Sequence, residues 1–263
     1  MNEAALQVEQ TGSVATVWLN RSAFHNAFNA TLIAELTSVF LELGADPAVR
    51  VIVLASRGRS FSAGADMAWM KEQGAASLQE NKADAERLAE MFRVIAECSK
   101  PTVARVQGAA IGGGVGLVAA CDIAIGVRNS VFAMSEVRLG LIPATIAPYV
   151  VRAIGARHAR RLFQTGERID AVAAERIGLL HEVVDPEAID ERLQEVIQAL
   201  LAGAPGAQQE AKQLVKLVDA QVIDDALIAE TAKGIAVRRA TAEAGEGLSA
   251  FLEKRPASWV PQP

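Results

Sequence analysis

The chain has 263 residues, with 31 acidic against 26 basic side chains and a net charge of −5. That balance argues against a general nucleic-acid or anionic-membrane surface. With 51% hydrophobic and 22% charged residues it reads as a globular protein, one large domain or a domain with an appendage. Its two cysteines, Cys98 and Cys121, are too few for a disulfide framework and are read as buried thiols of a reducing compartment.

Met1–Gln10 carries two acids and no basic residue, unlike a secretory signal, so a cytoplasmic location is expected. Ser13–Asn20 (SVATVWLN) alternates and is rich in β-branched residues, which predicts a strand. Ala30–Asp46 has apolar residues at helical spacing, with Gly44 expected to close the helix. Val49–Ser56 (VRVIVLAS) is an apolar strand, followed by the turn RGRSFSAGAD. A charged helical stretch runs from about Leu78 to Cys98; Lys100–Gly108 and Asp122–Val127 are further strands. This order is α/β, with strands buried on both faces. The apolar run Ala109–Val127 has the length of a membrane span, but Gly112, Gly113, Gly114, Gly116 and Asp122 within it favour a buried strand–turn–helix–strand. Gly203–Ala207 (GAPGA) breaks the pattern; beyond it the texture is helical. The domains are therefore set at residues 1–206 and 207–263, with the proline-rich RPASWVPQP as an extended tail.

Several familiar chemistries fail on spacing. Leu117 stands where a dinucleotide fingerprint needs its last glycine, and there is no phosphate loop and no G-x-S-x-G elbow. His25, His158 and His181 are scattered, so no metal and no separate cofactor are expected. Two glycine-containing turns are left, Ser62–Asp66 (SAGAD) and Ile111–Gly116 (IGGGVG), each between a strand and a helical segment. Such turns aim main-chain N–H groups at one point and let a ligand approach closely. Two N–H groups on one oxygen form an oxyanion hole; the plainer alternative is tight strand–helix packing.

The pieces NRSAFHNAFN, GRSFSAGADMAWM, KPTVARVQGAAIGGGVGLVAACDIAIG, SEVRLGLIP and GLSAFLEKRPASW occur in the order of the enoyl-CoA hydratase/isomerase (crotonase) family, which the chain resembles over nearly its full length. Within the family, GGGVGLVAACD, SEVRLGLIPATIAPYVVRAIG and FLEKRP are most similar to bacterial 3-methylglutaconyl-CoA hydratases. The resemblance implies a spiral of ββα turns followed by helices that assemble trimers or hexamers, and an acyl-CoA thioester as substrate. Motif positions imply main-chain donors at Ala65 and Gly113, which would draw electron density from the conjugated double bond, and a catalytic carboxyl at Glu136. They further imply substrate contacts at Ala27, Ala63, Gly64, Asp66, Gly112 and Gly116, and, with Arg21 as a weaker addition, nucleotide contacts at Phe251 and Lys254. Without the resemblance, Glu136 would read as a solvated helix-end acid and Lys254 as a solvated tail charge.

The sequence also departs from the family. Two-glutamate hydratases carry Glu where Gly116 stands, and the glycine-rich run after Ile-Pro is replaced by Ala144–Ala147 (ATIA). Gly116 is expected to vacate space beside C3, where a crowded 3-methylglutaconyl group, or its own carboxylate, would fit. Three readings are open: hydration through Glu136 alone, double-bond isomerisation by a single glutamate, or a silent acyl-CoA binder. RNA binding, as in some relatives, is disfavoured by the net charge.

Overall fold

The computed structural model describes residues 4–261. The strands are β1 (Leu6–Thr11), β2 (Val14–Leu19), β3 (Val51–Ser56), β4 (Thr102–Val106), β5 (Ala109–Ile111), β6 (Ile123–Val127), β7 (Val131–Ala133), β8 (Ile169–Asp170) and β9 (Glu182–Val184). The helices are α1 (Ala30–Ala45), α2 (Met67–Ala75), α3 (Leu78–Ala96), α4 (Gly113–Ala120), α5 (Ala147–Thr165), α6 (Ala171–Arg176), α7 (Ile189–Ala202), α8 (Pro205–Val218), α9 (Asp225–Arg239) and α10 (Ala242–Leu252).

A six-stranded sheet has the order β1-β2-β3-β4-β6-β9 and a second, three-stranded sheet the order β5-β7-β8. In the larger sheet only β1 and β2 pair antiparallel; the remaining pairs are parallel. The apolar run of β3 is explained by its central place, with all six residues buried, as expected of a parallel strand covered on both faces. By contrast β1, an edge strand, buries only Leu6.

Successive turns of chain visit both sheets before each helix. β4 lies in the first sheet, β5 in the second, and α4 comes next; β6, β7 and α5 repeat the pattern. Two isolated parallel bridges, Phe28 with Ala65 and Ser62 with Ala110, carry the second sheet back into earlier turns. This is a spiral of strand–strand–helix units. The expected strands and the helices α1 and α3 are present, and the apolar run is β5, α4 and β6 rather than a span. Among the described residues, no helix is long and apolar enough to cross a membrane.

Two local expectations are corrected. Gly44 does not close α1, which continues to Ala45; a Cβ there would make an ordinary contact of 3.4 Å with Sγ of Cys98. The domain boundary also moves. Contacts divide the chain into two compact units between Gln194 and Glu195, earlier than the break at Gly203–Ala207. The end of α7 is held by residues from the helical region and the tail: Gln208 Nε2 donates to Leu200 O at 2.6 Å, and the Trp259 indole donates to Ala202 O at 3.1 Å. The tail is thus anchored through Trp259 rather than freely extended; its last two residues lie outside the described range. Both cysteines are buried, as expected. The second unit leaves Leu214, Val215, Val222, Ile223, Leu248, Phe251 and Leu252 exposed.

Candidate active site

The two glycine turns are clipped together by the second sheet. Ser62 N donates to Ala109 O at 3.0 Å and Ile111 N to Ser62 O at 2.9 Å. Phe28 N donates to Gly64 O at 2.6 Å and Asp66 N to Phe28 O at 2.8 Å. This pair brackets Ala65, so the Ala65 N–H points away from the Phe28 segment. Gly64 has φ +84°, and a Cβ on it would sit 2.8 Å from Ile111 O, which only glycine permits.

Gly112 caps α4 with φ +52°; Val115 N and Gly116 N close on its carbonyl oxygen. Gly113 N–H, at the first helical position, has no intrahelical acceptor. Among the described residues, Ala65 N and Gly113 N donate to no protein group. Gly64, Gly112 and Gly114 are buried, whereas Ala65 is exposed and Gly113 half-buried. The open donors are thus the ones a ligand can reach. Phe28 links them: it bridges Ala65, and a Cβ on Gly113 would overlap its ring.

Glu136 opens the short 3₁₀ helix Glu136–Leu139 that comes after β7. Its Oε1 lies where a Cβ on Gly112 would stand 2.9 Å away, and its Oε2 is buried without a partner. Burial pushes the carboxyl above the ordinary glutamate range. A half-buried carboxyl of raised pKa therefore sits against the same turn that presents Gly113, which is not the surroundings of a solvated helix-end acid.

Gly116 does not leave a vacancy. It is buried in α4, and a Cβ there would overlap Cγ2 of Ile146 and lie 2.8 Å from Cε1 of Phe92. The expectation of free volume beside C3, and of a substrate carboxylate holding water in it, is overturned by this packing. Asp66 is also spent within the fold: Oδ1 accepts from Ala68 N at 2.9 Å, capping α2, and Oδ2 pairs with Arg21 at 3.0 Å. The Ala27 carbonyl accepts from Arg21, while Ala63 is exposed and its N–H donates to His25 O. Phe251, on α10, and Lys254, at φ +56°, are exposed residues of the second unit.

Sequence reasoning passed over Asn26 and Ser62, both fully buried. Asn26 donates to Arg57 O and Ser60 O, each at 2.9 Å, and accepts from Arg21 N at 2.8 Å; Ser62 Oγ donates to Asn26 O at 2.8 Å. They organise the turns; the signal that could have found them is a short polar residue in a loop, Ser62 opening the SAGAD turn and Asn26 in the segment before α1.

Comparison with known proteins identifies the family. The family model described as enoyl-CoA hydratase/isomerase matches residues 9–262. The chain belongs to the enoyl-CoA hydratase/isomerase family. Among relatives, the crotonyl-CoA hydratase of Syntrophomonas wolfei is 32% identical over 255 residues, 96% of each chain. The short-chain-enoyl-CoA hydratase of Clostridium acetobutylicum is 32% identical over 254 residues, 94% of each. The crystal structure of an enoyl-CoA hydratase from Shewanella pealeana superposes with a TM-score of 0.94 at 40% identity, covering 97% of this chain and 96% of that one. The spiral and the helical region after it are therefore the enoyl-CoA hydratase/isomerase fold, as the motifs implied.

Proposed function

We propose that the protein adds water across the 2,3 double bond of an enoyl-CoA thioester. The observation that carries this reading is the placing of Glu136, buried and unpartnered at Oε2, against the turn that offers the free Gly113 N–H, with the free Ala65 N–H one bridged segment away. Hydrogen bonds from Ala65 and Gly113 to the thioester oxygen would draw electrons from the double bond and hold the enolate formed after attack at C3. One such donor is worth about 2.7–4 kcal/mol. Glu136, as carboxylate, would take a proton from the attacking water and return one to C2. A pKa raised toward the working pH suits both steps.

Among acyl groups, we favour 3-methylglutaconyl, on the resemblance of residues 112–122 and 135–155 and of the C-terminal FLEKRP. Trp69, in the first turn of α2 and four residues after Ala65, adds physical support: its indole Nε1 is buried with no protein acceptor. An acyl chain ending in a carboxylate would supply one. The relatives named above carry crotonyl and short-chain names, so the acyl group is the first quantity to measure. Purified protein should be offered a panel of enoyl-CoAs, with loss of conjugation followed optically and double-bond position by NMR. Hydration of at least one member supports the proposal; no turnover of any, with tight binding retained, would leave an acyl-CoA binder.

Isomerisation is favoured by one observation, the lack of a carboxylate at Gly116, since a single Glu136 suffices to carry a proton between C2 and C4. The same NMR experiment separates the two. Assembly into a trimer or hexamer is proposed on the exposed apolar side chains of the second unit. A cytoplasmic location and the absence of a separate cofactor belong to the same reading.

A further inference from the structure

Arg21 comes directly after β2 and sends its guanidinium between the two chain segments that pair at the Ala65 bridge. Nη1 donates to the carbonyl oxygen of Ala27, and Nη2 pairs with Oδ2 of Asp66 at 3.0 Å. The group lies over the Phe24 ring, 4.9 Å from its centre. Both members of the ion pair are largely enclosed, their side chains 15% and 13% exposed. Arg21 is itself fixed at its main chain, where its N–H donates to the buried Asn26 and its carbonyl accepts from Asn26 N at 2.9 Å. The contacts fall immediately outside the bridge: Ala27 precedes Phe28, and Asp66 succeeds Ala65.

We propose that Arg21 is a positioning residue for the oxyanion hole, holding the Ala65 N–H in line with the thioester oxygen. This rests on the function proposed above. The main-chain bonds from Phe28 to Gly64 and from Asp66 to Phe28 fix which way Ala65 faces. Those bonds, and the one from Ala63 N to His25 O, hold the turn only through its main chain, which leaves residues 64–66 the freedom to tilt about the Phe28 segment. A planar fork spanning Ala27 O and Asp66 Oδ2 removes that freedom, because its donors diverge in a fixed plane. Asp66 transmits the constraint to α2 through its cap on Ala68. Lysine, a point charge on a flexible stem, cannot make both contacts with the same rigidity. With its charge compensated by Asp66, Arg21 is poorly placed to serve a nucleotide phosphate.

The test reads polarisation directly. A chromophoric enoyl thioester, 4-dimethylaminocinnamoyl-CoA, absorbs at longer wavelength when its carbonyl is polarised by a bound oxyanion hole. Wild type, Arg21→Met and Arg21→Lys should each be titrated with it, their melting temperatures recorded, and kcat and KM measured on the best enoyl-CoA of the panel. We expect Arg21→Met to bind the probe with a diminished red shift and to turn over about 10- to 100-fold more slowly at nearly unchanged KM, with Arg21→Lys intermediate. A full red shift and wild-type kcat in Arg21→Met would overturn the proposal. So would a loss confined to KM, which would place Arg21 on the CoA moiety instead. Should Arg21→Met not fold, Arg21→Lys decides: indistinguishable from wild type, it overturns the requirement for the fork. A wild-type protein that binds the probe with no red shift has no working oxyanion hole, and that result removes the functional reading itself.

Discussion

Gly116 and Ile146 are complementary: a Cβ on the glycine would overlap the γ2 methyl of the isoleucine, and the Phe92 ring closes the same space from α3. Gly116 and the Ala144–Ala147 segment, the two places where the family resemblance breaks down, are thus one packing event. Gly116→Glu should therefore destabilise rather than restore a second carboxylate. Overpacking costs roughly 1–3 kcal/mol, and an unpaired buried charge adds to it. The double variant Gly116→Glu/Ile146→Gly should recover part of the loss. Thermal melts of the three proteins check this, and a single variant as stable as wild type would contradict the packing.

Glu136→Gln should retain fold and acyl-CoA affinity and lose most turnover. Its stability should differ with pH in a defined sense. The folded-state pKa of Glu136 is raised by burial, so the native state holds a proton that the unfolded chain has released. Wild-type stability falls as pH rises from the unfolded value, about 4.3, through the folded one. The neutral variant lacks this term. Its melting temperature should gain on wild type as pH rises toward neutrality and lose that advantage in acid; parallel curves would argue against the raised pKa.

Ala65→Pro removes one main-chain donor and leaves both bonds bracketing Ala65 in place, since neither uses its N–H. Turnover should fall by about 10²–10³-fold. Unchanged activity in a folded variant would exclude Ala65 from the site.

Trp69→Phe keeps the apolar bulk and deletes the buried N–H. Activity on 3-methylglutaconyl-CoA should fall relative to crotonyl-CoA, by a ratio of about ten. Equal loss on both substrates would detach the indole from acyl recognition.

Leu248, Phe251 and Leu252 are 60%, 80% and 78% exposed and share one face of α10 by their spacing. Glutamates at 248 and 252 should reduce the assembled protein to smaller species in light scattering, with helix content kept. An unaltered mass would show that this face is not part of an interface.

Much of the fold was legible in the sequence because strong local signals coincide with long elements. The apolar run of β3 and the spacing of α1 and α3 leave little choice. The second sheet was not legible: β5, β7 and β8 are two or three residues long, too short for alternation to register, and two of its links are single bridges. Ala65 and Gly113 came from motif likeness, since a free N–H has no side-chain signature. The filling of Gly116 was misread because Phe92 and Ile146 are distant from it in sequence, and only the fold brings their volumes together.

The bridges at Phe28–Ala65 and Ser62–Ala110 mean that both donors of the proposed oxyanion pair are main-chain N–H groups set by strand register, and neither is a side chain. In that reading the device is indifferent to which reaction the resulting enolate enters. The fate of the polarised thioester hangs instead on a few side chains around it: Glu136, and the exchange of volume between 116 and 146. A change of chemistry in this scaffold, by drift or by design, would begin at those three positions and leave the electrophile-activating frame intact.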